Sequence, residues 1–451
     1  MRTTRRRFLT GCSAAIAALS GSRFGHFAFG GEPGDNDEIL IILFLRGGID
    51  GLNLVPPIAG PDRGHYETAR PNLAVPNSGP DAAFTLDGAF GLHPSAAPLF
   101  DLYQDGKLSF IHAAGMTEAN RSHFDAMGFI ELGTPGTLST PTGWLHRHLE
   151  SAANLPQEIV MPALSVGSIQ VSSLRGSTEA LNVNDINDFA LGNVGPSSWR
   201  SAVRTSLRRI YNQDSTWLHQ TGLQTLDALD IIELSVDGAY TPSNGAVYPN
   251  NSIGNNLRMV AQLIKLDLGL RVATLDFGGW DTHNGQGDGS GGYFADRVED
   301  VAEAMAAFYL DLDGAGLENY TQRMTMVVQS EFGRRLRENA DRGSDHGHGN
   351  VMMVMSGNAI GGVHGTWPGL ANEQLFDGAD LAVTTDYRRV LSEILIRRMG
   401  NPYLGEIFPD YQGYAPLGVV AGTDLTPIFG PEVFADGFET GDISAWSSSV
   451  G

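Results

Sequence analysis

Val272-Ala273-Thr274-Leu275-Asp276-Phe277-Gly278-Gly279-Trp280-Asp281-Thr282-His283 is the stretch whose reading decides the fold. It opens as an apolar, β-branched run and closes in a small polar cluster among glycines. Two other stretches share that shape: residues 324–328 run into Ser330-Glu331-Phe332-Gly333-Arg334, and Ile39–Leu45 runs into Arg46-Gly47-Gly48-Ile49-Asp50. Short, continuously apolar runs are what the strands of a parallel sheet look like, because they are covered on both faces. Such strands deliver their C-terminal residues to one edge, so loops far apart in sequence meet there.

Helical periods alternate with these runs. Residues 253–268 and 293–312 lead into the strands at Val272 and Met324, and helix followed by strand, repeated, is the α/β pattern. Further strands are expected over 107–114 and 351–355, and further helices over 97–105, 122–132 and 386–399. The expected fold class is α/β, a mostly parallel sheet sandwiched by helices over residues 38–415. Residues 133–198 are rich in Pro, Gly, Ser and Asn without a sustained period, and 199–234 form a long helical stretch broken near Asn212 or Thr221. The stretch 133–250 therefore reads as an inserted cap, loop-rich and helical. Residues 58–92 read as a Pro/Gly/Asn-rich surface stretch.

Thr4-Arg5-Arg6-Arg7-Phe8-Leu9, ahead of a weakly apolar Ala-rich stretch, marks residues 1–30 as a twin-arginine export signal. The mature protein is then expected in the periplasm, at the cell surface or outside the cell. Cys12, the only cysteine, lies in this leader, so core packing and not disulfide bonding must hold the mature chain. Loss of the five leader arginines, with no leader acid, takes the formal charge from −22 to −27. Such an acidic surface speaks against nucleic acid and anionic membranes as partners. After residue 30 no apolar run approaches the roughly 20 residues of a transmembrane helix. Residues 416–451 read as a linker and a short acidic, aromatic tail.

The polar clusters supply the donors that a divalent cation needs, carboxylate oxygen and imidazole nitrogen. Asp281 and His283, two apart on an extended segment, point the same way and can grip one ion. Glu331 follows a buried strand, where a carboxylate requires a cation or Arg334 as partner. Asp345-His346-Gly347-His348-Gly349 packs imidazoles and a carboxylate among glycines. His346 is the expected ligand there, with Asp345 either on the metal or holding an imidazole from behind, and His348 a substitute ligand or substrate contact. Ser122-His123-Phe124-Asp125 is a helix-capping arrangement, sufficient by itself to explain Ser122. The same helix N-terminus is suited to an anion and makes Ser122 a candidate nucleophile, with Arg121 as an anion contact and His123 as a further ligand. The expected metal set is Asp50, Asp281, His283, Glu331 and His346, around one or two ions of Zn, Mn, Ca or Fe.

Leu45-Arg46-Gly47-Gly48-Ile49-Asp50-Gly51-Leu52, Arg121-Ser122-His123-Phe124, Gly279-Trp280-Asp281-Thr282-His283, Ser330-Glu331-Phe332-Gly333-Arg334 and Asp345-His346-Gly347 together resemble the bacterial family named domain of unknown function 1501. That family comprises exported proteins related to the alkaline-phosphatase and sulfatase superfamily. The resemblance implies an alkaline-phosphatase-like fold and a metal-dependent hydrolase of phosphate or sulfate esters. Ser122, or a water on the metal, would attack a small-molecule or polymer-borne ester. The sequence departs from the superfamily pattern at Glu331-Phe332, where Asp-His is usual, leaving one metal position poorer in ligands unless His123 or His348 fills it. That departure favours the alternative, a catalytically silent exported binding or surface protein on the same scaffold. The segment from Phe434 to Trp446 resembles a sorting tail of exported bacterial proteins, implying a cell-surface sorting partner.

Overall fold

A computed structural model of the chain describes residues 36–153, 155, 161–185, 197–235 and 240–430. The leader, and the tail from residue 431, lie outside the described residues.

Eleven strands carry the architecture: β1 (Ile39–Leu45), β2 (Leu108–Gly115), β3 (Ala163–Val166), β4 (Ala180–Val183), β5 (Val272–Phe277), β6 (Met324–Gln329), β7 (Arg334–Glu338), β8 (Ser344–His346), β9 (Asn350–Ser356), β10 (Gly362–His364) and β11 (Thr385–Asp386). Nine form one sheet in the order β10-β2-β9-β6-β1-β5-β3-β4, with β11 also on β2. All its pairings are parallel except those of β9, which runs against β2 and β6. The apolar run of β1 sits at the centre, paired with β5 on one side and β6 on the other.

The side chains of β1 explain why it is central. Ile39, Ile41, Leu43 and Leu45 enter one hydrophobic cluster, while Leu40, Ile42 and Phe44 enter another. A strand's side chains alternate between faces, so a continuously apolar strand needs cover on both. The first face is covered by α3 (Ala97–Gln104), α8 (Ser252–Leu266) and α9 (Tyr293–Leu312), through Leu99, Leu257, Ile264, Val298 and Met305. The second is covered by α4 (His123–Leu132), α5 (Trp144–Ser151), α10 (Tyr387–Arg397) and α11 (Leu404–Ile407), through Ile130, Trp144, Leu391 and Ile407. The remaining helices are α1 (Gly51–Leu54), α2 (Gly60–Ala69), α6 (Ser197–Tyr211) and α7 (Trp217–Ser235).

Three expectations are corrected here. Within the stretch read as a cap, β3 and β4 complete the sheet beyond β5, and α5 packs on its face. Among the described residues of that stretch, only α6 and α7, joined by Arg208 to Asp227 and Asp230, form a helical pair of their own, broken after Tyr211. The stretch read as surface contains α2 and buries Tyr66 and Arg70. The supposed linker from 416 is bound in its first part, since the buried Glu393 carboxylate accepts from the backbone N–H groups of Leu417, Gly418, Val419 and Val420. Among the described residues no helix is long and apolar enough to cross a membrane.

Candidate metal centre

The loops after β1, β5 and β6, the start of α4 and the β7–β8 hairpin meet at one edge of the sheet. Glycines allow the approach: a Cβ at Gly343 would lie 2.3 Å from the backbone of His283, and one at Gly47 2.5 Å from the nitrogen of Asp281. The buried Arg334 guanidinium ties these loops together. Its Nε donates to Gly48 O at 2.7 Å, Nη1 to Ser344 O at 2.8 Å, and Nη2 to Gly47 O, to Trp280 O at 3.1 Å and to Asp281 Oδ1 at 2.7 Å.

Three imidazoles surround the Asp281 carboxylate. His283 Nε2 lies 2.9 Å from His346 Nε2, and each lies 3.1 Å from Asp281 Oδ1. His123 Nε2 lies 3.5 Å from Asp281 Oδ2 and is buried without a hydrogen-bond partner. Ligand atoms of His123, Asp281 and His346 all fall within 4.8 Å of one another.

The opposite nitrogens decide the tautomers. His123 Nδ1 lies 2.7 Å from Glu331 Oε1, His283 Nδ1 3.1 Å from Asp345 Oδ1, and His346 Nδ1 2.9 Å from the carbonyl oxygen of Arg121. A carbonyl or ionised carboxylate only accepts, so each Nδ1 donates and each neutral ring turns a lone pair inward. His283 and His346 thus face each other lone pair to lone pair, an arrangement that a cation between them relieves. A tetrahedral zinc with Zn–N bonds of ~2.0–2.1 Å would set its ligand atoms roughly 3.3 Å apart, close to the 3.1 Å of His283 and His346 and the 3.5 Å of His123 from the Asp281 carboxylate. Imidazoles held from behind by carboxylates are the usual surroundings of metal-ligating histidine.

Burial raises the Asp281 carboxyl, but the Arg334 guanidinium, together with His346 and His283 when those rings are protonated, outweighs it and holds the carboxyl at about 2. Burial likewise raises Glu331, and its bonds to His123, Ser330 Oγ and Gly47 N bring it below the ordinary glutamate value. The bond to Glu331 pushes His123 up, while burial pushes His346 down. The Asn339 amide and His283 hold Asp345 low.

Asp281, His283, His346 and His123 converge, whereas other expected residues stand elsewhere. Glu331 is 1% exposed and supports His123 from behind, with Gly47 N at 2.8 Å and Ser330 Oγ at 2.9 Å completing its bonds. It does not pair with Arg334. Asp345 takes the second of its two expected positions, behind an imidazole, though that of His283. Asp50 is outside the cluster: fully buried, it caps α1 through Asn53 N, and its Oδ2 accepts from Arg70 at 2.6 Å and from Gln286 at 2.7 Å. A guanidinium has the place expected for an ion. His348 is also apart, buried against Phe376 at 4.3 Å between ring centroids, and desolvation lowers it to about 4. Phe332 packs against His123, the first residue of α4, and against His346.

The Ser122 hydroxyl caps α4, accepting from Asp125 N at 3.5 Å, and the residue is exposed. Arg121 serves the cluster through its carbonyl, its side chain being turned to Asp380 and Asp377. Arg70, Gln286 and Arg334 complete the surroundings. Arg70 and Gln286 are polar residues in stretches without regular period, and nothing in their local sequence marks them.

The family model described as Protein of unknown function (DUF1501) matches residues 242–401 and supports that family over this stretch. The matched segment contains Asp281, His283, Glu331, Asp345 and His346, while His123 and Asp50 lie before it. No curated protein matches the chain.

Proposed function

Proceeding from that family match, we propose that the chain is a metal-dependent hydrolase of phosphate or sulfate esters, exported by the twin-arginine route. Three imidazole Nε2 atoms turned toward one carboxylate, each ring held from behind by an acceptor, carry the proposal. His123, His283, His346 and Asp281 would hold one divalent ion. Nitrogen-rich donors suit Zn, Mn or Fe and disfavour Ca, which prefers oxygen. With Asp50 closed against Arg70 and Glu331 behind His123, no second ligand set remains at this edge among the described residues. The bound ion supplies Lewis acidity to an ester oxygen and lowers the pKa of a nucleophile beside it.

This chain's own groups have defined tasks. Glu331, Asp345 and the Arg121 carbonyl orient the rings, and Arg334 fixes Asp281. Ser122 stands one residue before His123 at the exposed N-terminus of α4, where the helix dipole favours an anion. The likeness to the alkaline-phosphatase and sulfatase superfamily belongs to the same proposal. Elemental analysis of purified protein is expected to find one Zn, Mn or Fe per chain, with turnover of an aryl phosphate or aryl sulfate. No metal, and no turnover with Zn, Mn or Fe added, overturns it.

The closure of Asp50 and the capping role of the Ser122 hydroxyl favour a second reading, a catalytically silent exported binding protein with a structural metal. Ser122→Ala separates the two: lost turnover with metal retained supports a nucleophile, and metal retained without turnover in the parent supports binding.

A further inference from the structure

Gln286 is 1% exposed and joins three segments through its side chain. Its amide oxygen accepts from the hydroxyls of Thr282 at 2.8 Å and Ser344 at 3.0 Å, and its amide nitrogen donates to Asp50 Oδ2 at 2.7 Å. Thr282 stands between Asp281 and His283, and Ser344 immediately precedes Asp345 and His346. Two of the three segments that carry candidate ligands, the Asp281–His283 loop and the Asp345–His346 strand, are therefore tied to one oxygen atom. The backbone of Gln286 adds to the tie, its N–H donating to Arg342 O at 2.8 Å and its carbonyl accepting from Phe294 N at 2.9 Å.

Charge sets the orientation of that amide. Reversed, its oxygen would face the Asp50 carboxylate at hydrogen-bonding distance, a contact between two acceptors. Asp50 is itself anchored by Arg70, both side chains being closed to solvent. Arg70 in turn donates to Leu336 O and Arg335 O at 2.8 Å, on β7. A rigid frame thus runs from α2 through Asp50 to Gln286, and it ends on the two hydroxyls flanking the ligands.

We propose that Gln286, aimed by the Asp50–Arg70 pair, is the positioning residue that sets the spacing of the two ligand-bearing loops and hence the affinity of the centre for its ion. Asp50 then acts as the anchor of a clamp and not as a ligand. The inference rests on the metal-binding part of the proposed function. It differs from a general packing role in one respect: the direction of the Gln286–Asp50 hydrogen bond matters, and not only the volume filled.

The test is Zn2+ affinity of the full chain, measured by competition with a chromogenic chelator, with Co2+ absorption spectra reporting coordination geometry. Gln286→Leu is expected to weaken Zn2+ binding 10- to 100-fold, the usual range for a lost outer partner of a metal site, and to alter the Co2+ spectrum. Gln286→Glu keeps an acceptor for both hydroxyls but sets a carboxylate against Asp50. An added negative charge by itself attracts a cation, so the weaker binding expected of this variant reports displaced ligands.

Gln286→Leu binding Zn2+ within twofold of the parent overturns the clamp, and so does Gln286→Glu binding Zn2+ as tightly as the parent. Should Gln286→Leu fail to fold, Gln286→Glu still decides. A parent chain that binds no Zn2+ overturns the metal proposal, and the clamp with it.

Discussion

His123 and Glu331 show how one hydrogen bond shapes the centre. The carboxylate behind the ring raises the affinity of Nε2 for a proton and for a metal alike, so the two compete. His123 sits above its ordinary value, so protons would compete with a metal bound there at a higher pH than at an unassisted imidazole. Metal affinity is expected to fall as pH falls through neutrality. Glu331→Gln removes the charge behind the ring, with two expected effects on isothermal titrations at several pH values. Zn2+ binding at pH 8 weakens 10- to 100-fold, and the acid loss of binding moves to lower pH. An unmoved acid limb would show that Glu331 does not support His123.

At the scale of elements, α2 and the β7–β8 hairpin matter most to the site and were the least legible. The α2 segment has little apolar content, since its task is to bring Tyr66 and Arg70 inward toward Asp50 and Asn53. Its partner is distant in sequence, and composition therefore reads it as surface. The long helices were readable because each carries apolar residues at helical spacing, as α9 does in Phe294, Val298, Val301, Met305, Phe308 and Leu312, and so marks a buried face by itself. Asp50 and Arg70 make a testable pair. Arg70→Leu leaves a carboxylate buried without its cation, and removing one partner of a buried ion pair typically costs about 3–5 kcal/mol. Denaturant unfolding of Arg70→Leu is expected to show a loss of that order, and Asp50→Asn in the same chain to restore part of it. A loss below about 1 kcal/mol would mean that the pair is not buried.

At the scale of the whole molecule, seven of the histidines form two contrasting sets. His123, His283 and His346 gather at the sheet edge, whereas burial pushes His93, His112, His148 and His348 each down to about 4. These four stay neutral in the fold and titrate near 6.5 when it opens. A folded pKa below the unfolded one contributes stability that is present above about 6.5 and is lost as pH falls toward 4. The melting temperature is therefore expected to drop between those limits, each imidazole adding up to about 1.4 kcal/mol per pH unit to the slope. His148→Gln is expected to flatten the slope while lowering stability at neutral pH, and an unchanged slope would place His148 in solvent. Four of the five motifs meet at one edge because each follows a strand of the parallel set, which was open to reading from strand runs alone. Asp345-His346-Gly347, in contrast, reaches that edge because it precedes β9, the strand that runs against its neighbours.

Local features are determined by the sequence itself. The alternation of β1 between two covered faces, the helical period of α9, the capping serine of α4 and the glycines at the sheet edge are all properties of neighbouring residues. They establish an α/β sheet and the edge where carboxylates and imidazoles collect. Only the tertiary structure decided which of those groups face inward. Glu331 and Asp345 hold rings from behind, and Arg70 captures Asp50. The reason is that a carboxylate bonds the nearest cation or donor through space, whatever the distance along the chain. Residues of the same kind at the same strand ends thus take different partners once the chain folds.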